Sequence, residues 1–265
     1  MAIDKTQDNH MHTLFSDGSG TIDQMAVSAI EKGLSHISIT DHMPLPCPRR
    51  YTMDKDEINP YRLAVRTAKD KYSDRLNIKM GIEMEFVPEF RFWIQSILEM
   101  GWECTIVSVH SLITENTLNT VNGNKSEFNI LLKRMKYNIH TILKRYYKTV
   151  QAAVETGWFD IVGHLDVIKK HNSHEKYFNE SDPFYRNLVL ETLDAIQQHQ
   201  MKMEINLSGL DHPVKNIYPS RWIVHEAVKR GIPIVLGSDA HDPGSIGRHF
   251  HTADACLPAG AVAAL

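Results

Sequence analysis

Seven short apolar segments alternate with longer amphipathic segments along this chain, and this alternation constrains the fold more than any other feature. Six of the apolar segments are HISIT (36–40), LNIKMGIEMEF (76–86), CTIVSVH (104–110), FDIVGHLD (159–166), KMEINLSG (202–209) and IPIVLGSD (232–239). They are β-branched and almost continuously apolar, which is typical of strands buried on both faces. A seventh strand, more polar than the others, is predicted to end near His12.

Amphipathic segments with helical spacing separate the predicted strands. The first begins with Thr21 and Gln24 at capping-box spacing and ends at Gly33. The other predicted helices are 88–101, 126–156, 181–200 and 219–231. Repeated strand–helix units predict a parallel sheet, either a closed barrel or an open doubly wound sheet. No linker-like or low-complexity stretch interrupts them, so residues 1–265 are expected to form a single domain, with 257–265 as a short closing helix or tail.

Charge and composition narrow the class of protein. The 265 residues carry a net charge of −3 with histidine neutral, which provides no basic field for nucleic acid. No segment resembles a signal peptide or approaches the length of an apolar membrane span. Three widely spaced cysteines without a CxxC argue against a disulfide framework and against a thiolate zinc site. We therefore expect a cytoplasmic protein that binds neither membranes nor nucleic acid.

Histidines and carboxylates follow six of the seven predicted strands. They occur in the segments HMH (10–12), TDH (40–42), GIE (81–83), SVH (108–110), GHLD (163–166) and SDAH (238–241). In a parallel barrel the carboxyl ends of all strands meet at one face, where active sites are found. One His-x-His pair is expected by chance among 15 histidines in 265 residues, and a second occurs at His249 and His251. The joint placement at strand ends, however, predicts a metal cluster.

The residue types also indicate the metal. Imidazole and carboxylate ligands without thiolate favour Zn, Fe or Mn over Mg or Ca. His10 and His12 lie two residues apart on a strand and therefore share a face. The candidate ligands are His10, His12, Asp17, His42, Glu83, His110, His164, Asp239 and His241. Nine ligands exceed the needs of one ion, so two or three divalent ions with a bridging carboxylate are predicted. Glu85 is expected to be less involved than Glu83, and histidines such as His212 are expected to be ordinary surface or core residues.

The series HMHTLFSDG, TDH, GIE, SVH, GHLD and GSDAH closely resembles the PHP (polymerase and histidinol phosphatase) family over about residues 8–250. Within that family, SVHSL, GHLDVIKK and EINLSGL…YPS resemble the stand-alone histidinol-phosphate phosphatases. The resemblance implies a distorted, TIM-barrel-like (β/α)7 barrel with a trinuclear metal centre at the C-terminal ends of its strands. It therefore favours the closed barrel over the open sheet.

The resemblance also implies how the ligands are shared. The first metal would take His10, His12, Glu83 and Asp239; Glu83 would bridge to a second metal completed by His110 and His164; and Asp17, His42 and His241 would hold the third. This chain departs from its relatives at two positions. Asp17 stands where relatives often have a histidine, which bears on the occupancy and metal preference of the third site. Asp211 stands where they often have an arginine, which bears on the exact substrate.

The function implied by the resemblance is hydrolysis of L-histidinol phosphate to L-histidinol and phosphate in histidine biosynthesis. A hydroxide that bridges the metals would attack phosphorus. Asp17, His42 or His241 would protonate the leaving alkoxide or position a water that does so. The phosphate is predicted to be held by Lys169, Lys170 and Arg248, which follow the fifth and seventh strands. Glu85, Asp166 and Asp211 are the candidate partners for the ammonium of histidinol.

Other functions fit some of the same residues. The most realistic alternative is a PHP phosphoesterase that acts on another small phosphomonoester, and a related one acts on nucleic acid ends. The acidic balance and the lack of an aromatic-basic stripe count against nucleic acid. Amidohydrolase-type C–N hydrolases also use a His-x-His pair, but they normally have eight strands. The oligomeric state is left open by the sequence.

Overall fold

Seven parallel strands form one sheet in the computed structural model, which describes residues 3–258. These strands are β1 (Gln7–Asp8), β2 (His36–Ile39), β3 (Asn77–Glu85), β4 (Cys104–Ser108), β7 (Ile161–Val162), β8 (Lys202–Asn206) and β9 (Ile234–Gly237). Their order in the sheet is the order just given, and every pairing between neighbours is parallel. No helix within 3–258 is long and apolar enough to cross a membrane. The predicted C-terminal helix or tail falls largely on 259–265, outside the described residues.

The sheet closes into a barrel through the segment that follows β1. The amide of Asn9 donates to the carbonyl of Leu236 at 3.0 Å, and the amide of Asp239 donates to the carbonyl of His10 at 2.9 Å. The amide of His12 continues this pairing with the carbonyl of Ala240 at 2.8 Å. The first and last strands are therefore joined, which confirms the distorted (β/α)7 barrel rather than the open sheet.

Seven α-helices within residues 3–258 surround the barrel and lie between its strands along the chain. They are α1 (Ile22–Glu31), α2 (Ile58–Tyr72), α3 (Arg91–Leu98), α4 (Lys125–Arg134), α5 (Ile139–Glu155), α6 (Pro183–Gln198) and α7 (Arg221–Lys229). The predicted capping box is present at α1, where Thr21 accepts from the Gln24 amide and Gln24 accepts from the Thr21 amide. Asp182 caps α6 by accepting from the Phe184 amide.

Two differences from the prediction lie in the helical layer. Helix α2 occupies a stretch for which no helix was predicted, although its buried residues recur at helical spacing. Pro60 sits in its first turn, where the missing amide costs no helical hydrogen bond. The predicted helix over 126–156 is two helices, because Lys136 and Tyr137 adopt left-handed backbone angles with φ of 51° and 56°. Asn138 then caps α5 by accepting from the Thr141 amide.

A two-stranded antiparallel hairpin, β5 (Ser111–Thr114) with β6 (Thr117–Thr120), follows directly after β4 and was not predicted. Its two central residues, Glu115 and Asn116, have φ of 49° and 56°, as expected for a tight hairpin turn. The chain after β6 is tied to the loop after β7, because Lys170 Nζ donates to the Asn122 carbonyl at 2.8 Å. This places the segment after the hairpin at the rim of the barrel mouth.

Candidate metal centre

The nine predicted ligands come together at the carboxyl ends of the barrel strands, where a cavity of about 450 Å³ opens. Glu83, at the end of β3, is 1% exposed and lies at the middle of the group. Its Oε1 lies 3.3 Å from Nε2 of His10 and of His110 and 3.1 Å from Nε2 of His164. Its Oε2 lies 2.7 Å from Nδ1 of His42. Glu83 therefore lies at the centre of the candidate ligands, a location compatible with the bridging role that the resemblance implies for it.

A second, more open group of ligands surrounds Asp17. Its Oδ1 lies 3.3 Å from Nε2 of His241, 3.8 Å from Nε2 of His42 and 4.0 Å from Nδ1 of His12. His42 thus faces Glu83 with one ring nitrogen and Asp17 with the other. Three groups of side chains could each hold an ion; they are His12 with Asp17, His42 and His241, then His10 with His12 and Glu83, and finally His42 with Glu83 and His110. These groups share His12, His42 and Glu83, whereas the three sets that the resemblance implies share only Glu83.

Asp239 links the inner and outer groups. Its Oδ1 lies 3.2 Å from Nε2 of His12, 3.8 Å from Nε2 of His10 and 3.7 Å from Nδ1 of His241. The backbone of Asp239 is left-handed, with φ of 52°, which aspartate tolerates better than most residues. Conformations of this kind cluster at functional sites, where the surrounding structure holds them in place.

The donor set fits divalent metal ions. Among the described residues, the buried atoms His10 Nε2 and both ring nitrogens of His12 have no hydrogen-bond partner, and the 2.7 Å contact of Glu83 Oε2 with His42 Nδ1 lacks hydrogen-bond geometry. Buried polar atoms without partners are costly and rare, so several in one cluster require an explanation. A cation that accepts the imidazole and carboxylate lone pairs would satisfy them, and this combination of ligands suits Zn, Fe or Mn.

The carboxylates of the cluster are held in the ionised form that metal ligation needs. Burial opposes ionisation of Glu83, but the histidines around it, His110 first among them, hold its pKa well below the usual range. Burial also opposes ionisation of Asp17, yet the hydrogen bond with His241 leads the interactions that lower its pKa to about 2. Both groups are therefore ionised at neutral pH.

The histidines respond in opposite directions according to their neighbours. Burial alone would lower the pKa of His110, but Glu83 and Glu85 outweigh it and raise the pKa to about 10. Burial likewise opposes protonation of His241, while Asp17 raises its pKa to about 9. Burial and repulsion from His241 lower the pKa of His12 to about 3. Because only neutral imidazole ligates a metal, ion binding must displace the protons from His110 and His241.

Two buried glutamates support the cluster, and neither was predicted to do so. Glu85 accepts from Nδ1 of His110 at 2.6 Å, although it was expected to be the less involved glutamate of β3. Glu204, on β8, accepts from Nδ1 of His10 at 2.7 Å. The signal that was available for Glu85 is the two-residue spacing from Glu83, since residues two apart on a strand share a face.

The predicted phosphate-binding cations separate into two groups. Lys170 and Arg248 line the cavity, with Lys170 on the loop after β7 and Arg248 on the segment after β9. Lys169 does not, and its prediction as a substrate contact needs correction. Its side chain is fully buried, and its Nζ lies 2.8 Å from Asp166 Oδ2 and donates to the hydroxyl of Ser220. The 3-10 turn at 167–169 points Lys169 inward.

The acidic residues predicted as ammonium partners are also placed away from that role. Glu85 is bonded to His110, and Asp166 is bonded to Lys169 in the protein interior. Asp211 lies at the surface, where its side chain is half exposed and pairs with His249 at 3.1 Å. The cavity lining instead contains Glu127 and Asp242, together with His212, which was expected to be an ordinary surface or core residue.

Comparison with known proteins gives consistent matches over almost the whole chain. The PHP domain model matches residues 8–208. A Deinococcus radiodurans protein named "Probable histidinol-phosphatase" is 32% identical over 247 residues, which cover 92% of this chain and 89% of the relative. The crystal structure of a candidate histidinol phosphatase from Listeria monocytogenes matches with a TM-score of 0.83 at 20% identity, covering 93% of this chain and 99% of that one.

A second solved structure is the histidinol phosphate phosphatase of Lactococcus lactis, which was determined in complex with zinc, L-histidinol and phosphate. It matches with a TM-score of 0.72 at 20% identity, covering 95% of this chain and 92% of that one. At this identity the two solved structures establish the shared fold. The domain match and the Deinococcus relative establish the family.

Proposed function

The chain belongs to the PHP family, and from this premise we propose that it is a metal-dependent phosphomonoesterase that hydrolyses L-histidinol phosphate in histidine biosynthesis. The observation that carries the proposal is the cluster of nine ligand-type side chains around Glu83 at the base of a cavity of about 450 Å³. The name of the Deinococcus relative supports L-histidinol phosphate as the substrate, as does the presence of L-histidinol and phosphate in the Lactococcus structure.

We infer that two or three divalent ions, Zn, Fe or Mn, complete the site. The inner ions would be held by residues around Glu83, namely His10, His12, His42, His110, His164 and Asp239, and the outer ion by Asp17, His42 and His241, with His12 beside them. When bound, these ions would offset the charge of the phosphate oxygens and supply a water of lowered pKa, bridging the ions that share Glu83, as the nucleophile.

The chain's own cations suit the phosphate of the substrate. Lys170 and Arg248 reach the cavity from two different strand ends. Arg248 is oriented by its own hydrogen bond, because its Nη2 donates to the carbonyl of Asp239 at 3.0 Å. A guanidinium in a fixed position and an ammonium on a flexible stem are a common combination for binding phosphate oxygens. We assign both residues to phosphate binding.

The leaving alkoxide of histidinol needs a proton, and the outer group can supply it. Asp17, His42 and His241 all line the cavity, and the side chains of Asp17 and His241 are 29% and 39% exposed. This partial exposure gives them access to both substrate and water. We propose that one of the three donates the proton or orients a water that does so. Glu127 accepts from the Asn124 amide and Asp242 accepts from Ser245, and we propose that the negative charge of these two cavity-lining carboxylates attracts the ammonium of histidinol.

The decisive experiment is phosphate release from L-histidinol phosphate by protein whose metal content has been measured on the same preparation. A panel of other phosphomonoesters, a DNA oligonucleotide with a 3′-phosphate and an N-acyl amide should be tested in parallel, with Zn, Fe or Mn added back. We expect strong preference for L-histidinol phosphate. Activity on another monoester alone would replace the substrate, whereas hydrolysis of none of the esters by metal-loaded protein would contradict the phosphatase.

A further inference from the structure

Strand β8 contributes no member of the predicted ligand set, and it lies between two strands whose ends do. Its neighbours are β7, which leads to His164, and β9, which leads to Asp239. The side chain of Glu204 on β8 is nevertheless buried, at 1% exposure, in the same region of the barrel. A buried carboxylate is costly unless several donors compensate it, so its contacts indicate its role.

Glu204 connects two of the predicted ligands. Its Oε1 accepts from Nδ1 of His10 at 2.7 Å, and its Oε2 accepts from the backbone amide of His164 at 2.7 Å. The side-chain Nδ2 of Asn206 also donates to Oε1, at 3.2 Å. One carboxylate therefore fixes the ring of His10 and the backbone that carries the ring of His164.

A glycine makes room for this arrangement. Gly237, on β9, lies beside Asn206 of β8 in the strand register. A Cβ atom at Gly237 would overlap Oε1 of Glu204 and would lie 2.9 Å from Cβ of His10. The side chain of His10 can therefore reach Glu204 across β9 only because position 237 lacks a side chain. The contact between His10 and Glu204 thus joins the segment after β1 to β8 across β9.

From these contacts we propose that Glu204 is a positioning residue of the metal centre, an inference that rests on the proposed metal-dependent function. Because a carboxylate only accepts hydrogen bonds, it keeps the proton of His10 on Nδ1 and leaves the Nε2 lone pair free. That Nε2 lies 3.3 Å from Glu83 Oε1 and 3.8 Å from Asp239 Oδ1, and no described residue hydrogen-bonds to it. Partners of this kind fix the tautomer and orientation of metal-binding histidines.

The rest of the strand supports the same role for β8. Nδ2 of Asn206 and Oγ of Ser208 each lie 3.3 Å from Oδ2 of Asp239. These hydrogen bonds leave Oδ1 of Asp239 directed at His10 and His12. The inward-facing residues of β8 and the turn after it thus hold ligands that other strands provide.

The test is the variant Glu204→Gln, which keeps the shape and removes the charge. Glutamine has one acceptor oxygen, so it cannot accept from both Nδ1 of His10 and the amide of His164. We expect zinc affinity, measured by competition with a chromophoric chelator, to fall about 10–100-fold. The matched control is Glu103→Gln, since Glu103 also accepts from a backbone amide, that of Met80 at 2.8 Å, but lies outside the cluster. The control should leave zinc affinity unchanged.

A second measurement is made on the wild-type protein and needs a variant only to assign the resonance. In zinc-loaded wild-type protein labelled with 15N-histidine, the His10 resonance, assigned with a His10→Gln variant, should show the proton on Nδ1. A proton on Nε2, or zinc affinity unchanged in folded Glu204→Gln, would overturn the role of Glu204. Failure of the wild-type protein to bind zinc, iron or manganese would overturn both this inference and the proposed function. The two results named before it would overturn only the role of Glu204, so the two kinds of failure are distinguishable.

Discussion

Two adjacent lysines, Lys169 and Lys170, offer the sharpest test of how the structure assigns roles. Lys169 is fully buried with its Nζ 2.8 Å from Asp166, whereas Lys170 lines the cavity. Burial raises the pKa of Asp166 to about 6 even though Lys169 lowers it, so desolvation outweighs the attraction within the pair. Removing one partner of a buried pair costs about 3–5 kcal/mol because the other charge is left uncompensated. The lower end applies here, since Asp166 can take up a proton.

The variant Lys169→Met should therefore lower the unfolding midpoint by roughly 6–12 °C in thermal circular dichroism, from about 3 kcal/mol and about 2–4 °C per kcal/mol for a domain of this size. Lys170→Met should change the midpoint little and raise KM for L-histidinol phosphate about 10-fold. Adding Asp166→Asn to Lys169→Met should restore part of the lost stability, because no buried charge remains. An unchanged midpoint with a raised KM in Lys169→Met would refute the structural role and restore Lys169 as a phosphate contact.

Three further predictions concern the metal centre. Chelation of the ions by EDTA should abolish phosphate release and lower the unfolding midpoint, since a ligand at 100 times its Kd stabilises the native state by about 2.7 kcal/mol. Addition of zinc should reverse both effects, and an unaltered midpoint would contradict the binding of metal ions by the native protein. Zinc binding at pH 7 should release protons from His110 and His241, whose pKa values are raised to about 10 and 9, so zinc affinity should rise with pH up to that range; calorimetry in buffers of different ionisation enthalpy measures the release. Gly237→Ala should displace Glu204, which should lower the stability by about 1–3 kcal/mol and also lower the zinc affinity. Unchanged zinc affinity would show that the missing side chain at position 237 is not needed for the contact between His10 and Glu204.

The candidate ligands could be identified from the sequence because they are chemically distinct and follow apolar strands. His110 and His164 each come directly after a buried run, and a parallel barrel brings all such positions to one face. The regular pairing of β1 was overestimated, since it covers only Gln7–Asp8 and continues beyond as irregular hydrogen bonds to β9. The polar residues after β1 line the candidate metal centre and do not pack in the apolar core. A strand prediction based on apolar residues is therefore weak in this segment.

The details that were missed depend on local backbone geometry. Lys169 and Lys170 are identical in type and adjacent, and only the 3-10 turn over 167–169 decides which one points inward. Helix α2 was missed because Pro60 and many charged residues weaken the helical signal, although its apolar spacing is regular. Lys169 also donates to the hydroxyl of Ser220, a partner distant in sequence that a local pattern does not report.

The role of β8 shows what a search for metal ligands overlooks. A histidine that binds a metal through Nε2 carries its proton on Nδ1 and donates a hydrogen bond from it, and in a closed barrel an acceptor can face inward from a nearby strand. The inward positions of β8 carry Glu204 and Asn206, two residues apart, and the facing position of β9 is Gly237. A strand without ligands can therefore carry an inward-facing glutamate beside a glycine on the next strand. This sequence pattern indicates that the glutamate accepts a hydrogen bond from a metal-binding histidine. In this chain that histidine is His10.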